Sequence, residues 1–324
     1  RRALARAAMT NGMHRCSFNA MAPASQRGLA LIIAMLVAAL AAAVAISLAT
    51  AQAQWTAQVT QRRDQVQAQS IALAGIQWTR QILTTTRATA FNHLGEPWAL
   101  PLPATPVENG WVEGRIIDAQ GMLNVNNLAD GKQTALERQR LARLFNTLRI
   151  PPATLAAVVD WVDSDGVEEP GGAEDAWYRQ LAQPGLAANM AATRIEELAA
   201  VRGITPTVLG AMTRFVTALP DDTPLNVNTA PAELLAASIE GVEPAVVATL
   251  VASRAQQPFP SVADFRARLP QGASLVGGEA MYTVKSHFFL VRVRARQGDT
   301  VAEAHALIDN QGPAWPRVVW QTIE

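Results

Sequence analysis

From Leu29 to Ala49 the chain runs Leu-Ala-Leu-Ile-Ile-Ala-Met-Leu-Val-Ala-Ala-Leu-Ala-Ala-Ala-Val-Ala-Ile-Ser-Leu-Ala, and no charged residue occurs between Leu29 and Gln61. At about 1.5 Å per residue, roughly 20 apolar residues cross a hydrocarbon core of about 30 Å. The run predicts one membrane span. Everything that follows it is then confined to one side of a membrane, which narrows both compartment and function.

The preceding residues set the direction. Residues 1–28 carry Arg1, Arg2, Arg6, Arg15 and Arg27 and no acid. Positive flanks stay in the cytoplasm, so the N-terminus is expected inside and the bulk exported. This predicts a single-pass membrane protein with an exported domain. An ordinary signal peptide or plain signal anchor would share the basic flank, but a cleavable signal has a shorter apolar core with small residues after it. Here the fitting cut, between Gly28 and Leu29, comes before the run.

The whole chain has 27 basic and 27 acidic residues. Without the five arginines of residues 1–28, 22 basic residues face 27 acidic ones. A mildly acidic domain is a poor electrostatic match for nucleic acid. The single cysteine, Cys16, lies in the leader, so the exported part has no disulfide, although an oxidising compartment would permit one. It must be held by a core or by metal, and its length suffices for one or two domains.

Residues 29 to about 90 read as one long helix. Its second half carries Trp55, Val59, Val66, Leu73, Ile76 and Leu83 at helical spacing, a stripe expected to pack on the protein's own domain. Asn92, Gly95 and Pro97 end it, and a loop with Pro97, Pro101, Pro103 and Pro106 follows. Residues 110–128 read as strands, and residues 133 to about 270 as almost wholly helical. Strands return at Met281–Arg296, Thr300–Asp309 and Arg317–Ile323. The expected class is α+β: a long N-terminal helix and a small antiparallel sheet, with a large all-α domain inserted between strands. The expected divisions are a leader 1–28, a span 29–50, helix and first strands 51–130, an inserted domain 131–278 and closing strands 279–324.

The densest polar segment, residues 160–178, holds Asp160, Asp163, Asp165, Glu168, Glu169, Glu174 and Asp175 with three glycines and no cation until Arg179. So many carboxylates on one loop repel unless solvated or bridged. Hard oxygen donors on a Gly-rich loop suit Ca²⁺. Asp163, Asp165 and Glu174 fall at the first, third and twelfth places of an EF-hand-like spacing, but the sixth place is Glu168 instead of Gly, so this is no EF-hand. The expectation is one or two calcium ions held by some of Asp163, Asp165, Glu168, Glu174 and Asp175. The alternative is a solvated acidic turn.

A second segment, Leu225-Asn-Val-Asn-Thr-Ala-Pro-Ala-Glu-Leu-Leu235 with the Gly241 turn and Phe259 and Phe265, reads as a helix-hairpin-helix unit. Thr229 is the expected N-cap and Pro231 lies in the first turn. Residues 198–206 have a similar helix–Gly turn–helix pattern. Phosphate-binding hairpins offer free amides and nearby cations. Here the turn is Glu240-Gly-Val-Glu-Pro244, with two acids and one amide lost to proline. A compact scaffold is the reading, an exported DNA-binding protein the alternative. His14, His93, His287 and His305 are scattered, with no catalytic motif, so an enzyme is not expected.

Four segments together resemble the K-type minor pseudopilins of the type II secretion system: Gln26-Arg-Gly-Leu-Ala-Leu-Ile-Ile33, Gly121-Met-Leu-Asn-Val-Asn-Asn127, Asp160-Trp-Val-Asp-Ser-Asp165 with Gly172-Ala-Glu-Asp175 and Tyr178, and Leu225-Asn-Val-Asn-Thr-Ala-Pro231. The resemblance implies a prepilin leader cut by a membrane peptidase after Gly28. It also implies a pilin fold with a helical insertion, calcium, and a place at the pseudopilus tip with the I and J minor pseudopilins. Most pseudopilins have Glu at the fifth mature residue. Here that residue is Ile33, as is usual for the K type. A carboxylate left unpaired in lipid costs several kcal/mol, and a tip subunit has no neighbour ahead to pair with it. Edman sequencing of the processed protein is expected to start at Leu29. A start at Arg1, or a cut beyond Ala49, would contradict the leader assignment.

Overall fold

The computed structural model describes residues 25–129 and 134–324, with side chains from Gly28 onward. Residues 1–24, which include Arg1, Arg2, Arg6, Arg15 and Cys16, lie outside the described residues, as does the expected boundary at 130/131. Residues 61–324 form one compact unit, and residues 1–60 fall outside it.

One helix, α1 (Ser25–Thr85), is continuous through the apolar run, and it is the one described helix long and apolar enough to cross a membrane. Every described side chain up to Arg63 is exposed, so none of the described residues covers the run. The last turns of α1 behave differently. Ala68, Ala72, Ile76 and Leu83 are buried. Ala72, Ile76 and Leu83 pack on Ile116, Phe289, Val291, Val293, Ala295, Ala304, Ala306 and Ile308, one face of a sheet. Each buried Ile or Leu here contributes about 1.5–3 kcal/mol. The apolar stripe expected along the helix thus splits: Ile76 and Leu83 are core, whereas Trp55, Val59 and Val66 stay exposed. The helix approaches closely because residue 75 is glycine: a Cβ there would come within 2.7 Å of a Val293 methyl. Lys285 Nζ donates to the Thr86 carbonyl at 2.6 Å and to that of Thr89, supplying donors just past the helix end.

The sheet is a five-stranded antiparallel meander, β1 (Leu102–Val107), β2 (Gly110–Asp118), β3 (Phe288–Gln297), β4 (Thr300–Asp309) and β5 (Arg317–Ile323), paired in chain order. Inward positions alternate with charged outward ones along β2, β3 and β4, which is why the period of two was readable. The proline-rich stretch expected to be a loop is instead β1. It lies at the sheet edge, where missing amide donors are tolerated, and its register slips between Leu102 and Thr105. The strand expected over Met281–Arg296 is broken, with Tyr282–Thr283 pairing elsewhere before β3 begins at Phe288.

Residues 119–287 lie between β2 and β3, which are neighbours in the sheet. They contain α2 (Thr134–Leu148), α3 (Pro152–Val162), α4 (Asp175–Tyr178), α5 (Pro206–Met212), α6 (Ala232–Ser238), α7 (Pro244–Gln256) and α8 (Val262–Ala267) around one apolar cluster. The region is not all-α. Leu123–Asn124 pairs parallel with Val216–Thr217, and Leu225–Asn226 pairs parallel with Tyr282–Thr283. Beyond Asn124 the expected strand turns into a 3₁₀ segment, Val125–Leu128.

Both parallel pairs begin with Leu-Asn-Val-Asn, and each motif folds the same way. Asn124 Oδ1 accepts from the Asn126 amide at 3.1 Å, and Asn226 Oδ1 from the Asn228 amide at 2.9 Å. The second Asn then clamps a distant backbone in both directions. Asn126 accepts from Ala192 N and donates to Ala192 O, each at 2.8 Å. Asn228 does the same with Phe259, also at 2.8 Å.

The insertion is tied to the sheet by Asp118, the last residue of β2. Its carboxylate is buried and accepts from Gln120 N at 2.9 Å, Asn226 Nδ2 at 2.9 Å, Thr229 Oγ1 at 2.6 Å and Ser286 Oγ at 2.7 Å. Thr229 therefore serves this carboxylate, and the N-cap of α6 is Pro231. Asp118→Ala would leave several buried donors unanswered. It is expected to cost about 3 kcal/mol or more and to lower the melting temperature by roughly 5–10 °C. A change under about 1 kcal/mol would contradict this.

Candidate metal centre

The acidic segment forms where α3 ends. Pro152 starts α3, and Asp163 takes an extended backbone just after Val162. The loop that follows is folded by Asp160, whose buried carboxylate accepts from Glu169 N at 3.1 Å and Ala173 N at 2.7 Å. Burial pushes this carboxyl above its usual range. Gly172 makes the closure possible, since a Cβ there would lie 1.9 Å from Asp160 Oδ2. Glu169 is drawn aside by Arg138 at 2.8 Å, and that partner holds its carboxyl below the usual range. Two of the seven carboxylates are thus occupied structurally.

Three others converge. Carboxylate oxygens of Asp163, Asp165 and Glu174 lie within 4.8 Å of one another, although they come from the end of α3, the loop and the start of α4. Donors 2.3–2.6 Å from a shared Ca²⁺ would be separated by up to about 5 Å. Asp163 and Glu174 are buried and Asp165 is exposed, so the group opens to solvent on one side. Glu168 is exposed and outside the cluster. Asp175 is also outside: Arg179 at 2.5 Å and the Ala187 amide at 3.1 Å take its oxygens. Of the five expected positions, these three converge.

The test of fit is the state of the buried donors. Neither Glu174 oxygen has a well-formed hydrogen-bond donor, and the same holds for Asn189 Oδ1. Burial pushes the Glu174 carboxyl up, and Asn189 and the Asp175 amide offset only part of this. Buried carboxylate oxygens with donors this poorly placed, beside two further carboxylates, suit a hard cation. The end of a helix such as α3 also favours positive charge. Asn189, with φ of 46°, was not found from sequence. Its one signal is a residue type that tolerates the left-handed region, in a coil 15 positions after Glu174.

Aromatic rings back the loop. Trp161 meets Tyr178 edge-on at 5.3 Å, and Trp177 meets Tyr178 at 4.9 Å. Arg202 lies over Trp177 at 5.3 Å, donates to Gly172 O at 2.8 Å and offers its own amide to the Tyr178 hydroxyl. Any rearrangement at the loop therefore reaches a tryptophan.

Gly241 has φ of 72°, and a Cβ there would lie 2.8 Å from the Gly272 carbonyl. Arg143 sits 3.7 Å from Glu240, and Gln139 donates to it at 2.9 Å. The glycine serves close packing of the turn on residues 272–273, and Phe259 and Phe265 stack edge-on beneath it at 5.0 Å.

A span-length helix packed at its C-terminal end on an antiparallel meander, with a long insertion between neighbouring strands, defines a membrane-anchored, pilin-like subunit. Comparison with known proteins gives the particular family. Residues 121–221 and 225–285 each match models described as type II secretion system (T2SS), protein K. Type II secretion system protein K of Aeromonas hydrophila is 31% identical over 236 residues, 66% of this chain and 71% of that protein. Its Pseudomonas aeruginosa counterpart is 32% identical over 215 residues, 64% of each chain, so the alignment spans just under two thirds of that relative. The Klebsiella pneumoniae protein is 28% identical over 304 residues, 89% of this chain and 93% of that one. A chain in the crystal structure of the GspK-GspI-GspJ complex from enterotoxigenic Escherichia coli shares the fold, with a TM-score of 0.71 at 22% identity, covering 82% of this chain and 99% of that one. The chain belongs to the type II secretion system protein K family. The two matched regions each begin at or just before one Leu-Asn-Val-Asn motif.

The pH dependence of the metal-free protein follows from Glu174. A carboxyl whose folded-state pKa is raised favours the fold while protonated, and this contribution is lost as pH rises from the ordinary value of 4.5 through the raised one. In chelator, Glu174→Gln is expected to melt above wild type, by a margin that is larger at pH 7.5 than at pH 4.5. A margin that does not change with pH would contradict the burial of this charge.

Proposed function

We propose that the chain is a minor pseudopilin that sits at the tip of the type II secretion pseudopilus, where it starts or caps the fibre used to export folded proteins. The observation that carries this reading is the large insertion, residues 119–287, placed within a pilin-like sheet. Extra bulk of that kind is tolerable where no subunit must stack above. Ile33 supports the same place, since it removes the carboxylate that would seek a partner ahead in lipid. The solved relative is a complex of GspK with GspI and GspJ, so the I and J minor pseudopilins are the proposed partners, and no nucleic acid is expected. The N-terminus is proposed to be cytoplasmic, the bulk periplasmic, and the prepilin peptidase to cut between Gly28 and Leu29.

The proposed cofactor is Ca²⁺, bound by Asp163, Asp165 and Glu174 with Asn189 as a neutral oxygen donor. When bound, the ion supplies the positive charge that the buried carboxylates lack. The residues themselves join the end of α3, the start of α4 and the coil at 189, so the ion's role is structural. A ligand that binds only the folded state adds about 2.7 kcal/mol at a hundredfold excess over its Kd. Calcium is therefore expected to raise the wild-type melting temperature and change tryptophan emission, with neither effect in Glu174→Gln. Equal melting curves in calcium and chelator would refute the site.

The tip reading is tested by co-purification. The protein is expected to elute with the I and J minor pseudopilins of its own system in one complex at micromolar concentration. Separate elution well above that concentration would refute it.

A further inference from the structure

Two cavities meet at the β1 edge. The first, about 480 Å³, lies between α1 and the sheet. It is walled by Ile71, Trp78 and Ile82 on the helix side and by Trp98, Leu102 and Val112 on the other. Gly114 contributes no side chain to its floor. Trp78 and Leu100 stand at its mouth, 52% and 67% exposed. The second, about 290 Å³, opens on the opposite face of the sheet among Arg115, Arg292 and Arg294. Both cavities are bordered by Pro101, Leu102, Gly114 and Arg115, so they join around the strand edge.

The guanidinium face is not balanced. Arg115 lies directly across from Arg292 in the ladder, and Arg292 across from His305. Like charges placed opposite one another are destabilising. Glu303 answers Arg292 and His305, and Glu113 answers Arg294 at 3.1 Å. Among the described residues Arg115 has no ion-pair partner. An exposed cation beside a second cation, next to an apolar groove lipped by tryptophan, is the composition of an interface hot spot. The prolines at 101, 103 and 106 withdraw amide donors from this edge, so side chains must do the recognition.

We propose that the joined cavities are the docking site for a segment of a partner subunit that carries a large apolar side chain close to a carboxylate. The apolar group enters the groove beside Trp78, and the carboxylate lies against Arg115 and Arg292. This rests on the tip-complex reading and names the surface that such a complex would use.

The test measures the affinity of the full chain in detergent for the purified I and J minor pseudopilins. Trp78→Ala and Arg115→Glu are each expected to weaken binding of one partner at least tenfold. Arg115→Lys should retain most of it, and high salt should shrink the Arg115→Glu effect. Both residues are exposed, so unchanged melting temperatures should accompany the losses. If wild type and variants bind alike, this inference fails and the tip reading stands. If wild type binds neither partner, both fail. A photo-cross-linker replacing Leu100 in proteoliposomes is expected to capture a partner, and adducts confined to lipid would overturn the proposal.

Discussion

Asp118 holds the sheet and the insertion together. The long insertion must leave the sheet at the end of β2 and return to it before β3, at neighbouring points. A buried carboxylate at the exit takes donors from the exit turn (Gln120), from the second half of the insertion (Asn226 and Thr229) and from the return (Ser286). Burial raises its pKa even so, because hydrogen bonds only partly replace water around the charge. The positions of both metal loop and hairpin relative to the sheet depend on this joint.

The insertion solves a second problem by repetition. A long excursion with few strands has many backbone groups to satisfy. Twice, a Leu-Asn-Val-Asn segment makes a short parallel bridge and uses its second Asn as a two-way clamp on distant backbone, at Ala192 and at Phe259. The acidic loop belongs to the first repeat and the helical hairpin to the second. Asn suits the task because one side chain offers both a donor and an acceptor in a fixed plane.

The sheet was legible where a single period dominated. Thr300–Asp309 and Arg317–Ile323 match their strands residue for residue, and in β4 the alternate residues Ala304, Ala306 and Ile308 lie in the core that meets α1. β1 was hidden because its prolines read as loop. They are compatible with a strand only at an edge, and edge position is not a local property. The stripe on α1 misled from Trp55 to Val66 for a related reason: helical spacing shows that residues share a side, not what covers that side. At the metal loop, the acids were visible but their division of labour was not. Asp160 and Glu169 are claimed by Ala173 N and Arg138, contacts set by the fold. Asn189 enters the site only through a turn in the coil.

The central claim is that the insertion and Ile33 fit this subunit for the end of a fibre. The most direct measurement is immunogold labelling of the insertion on pseudopili assembled in cells from the native set of subunits. The account expects label at one end of each fibre. Label spaced along the fibre length would contradict it.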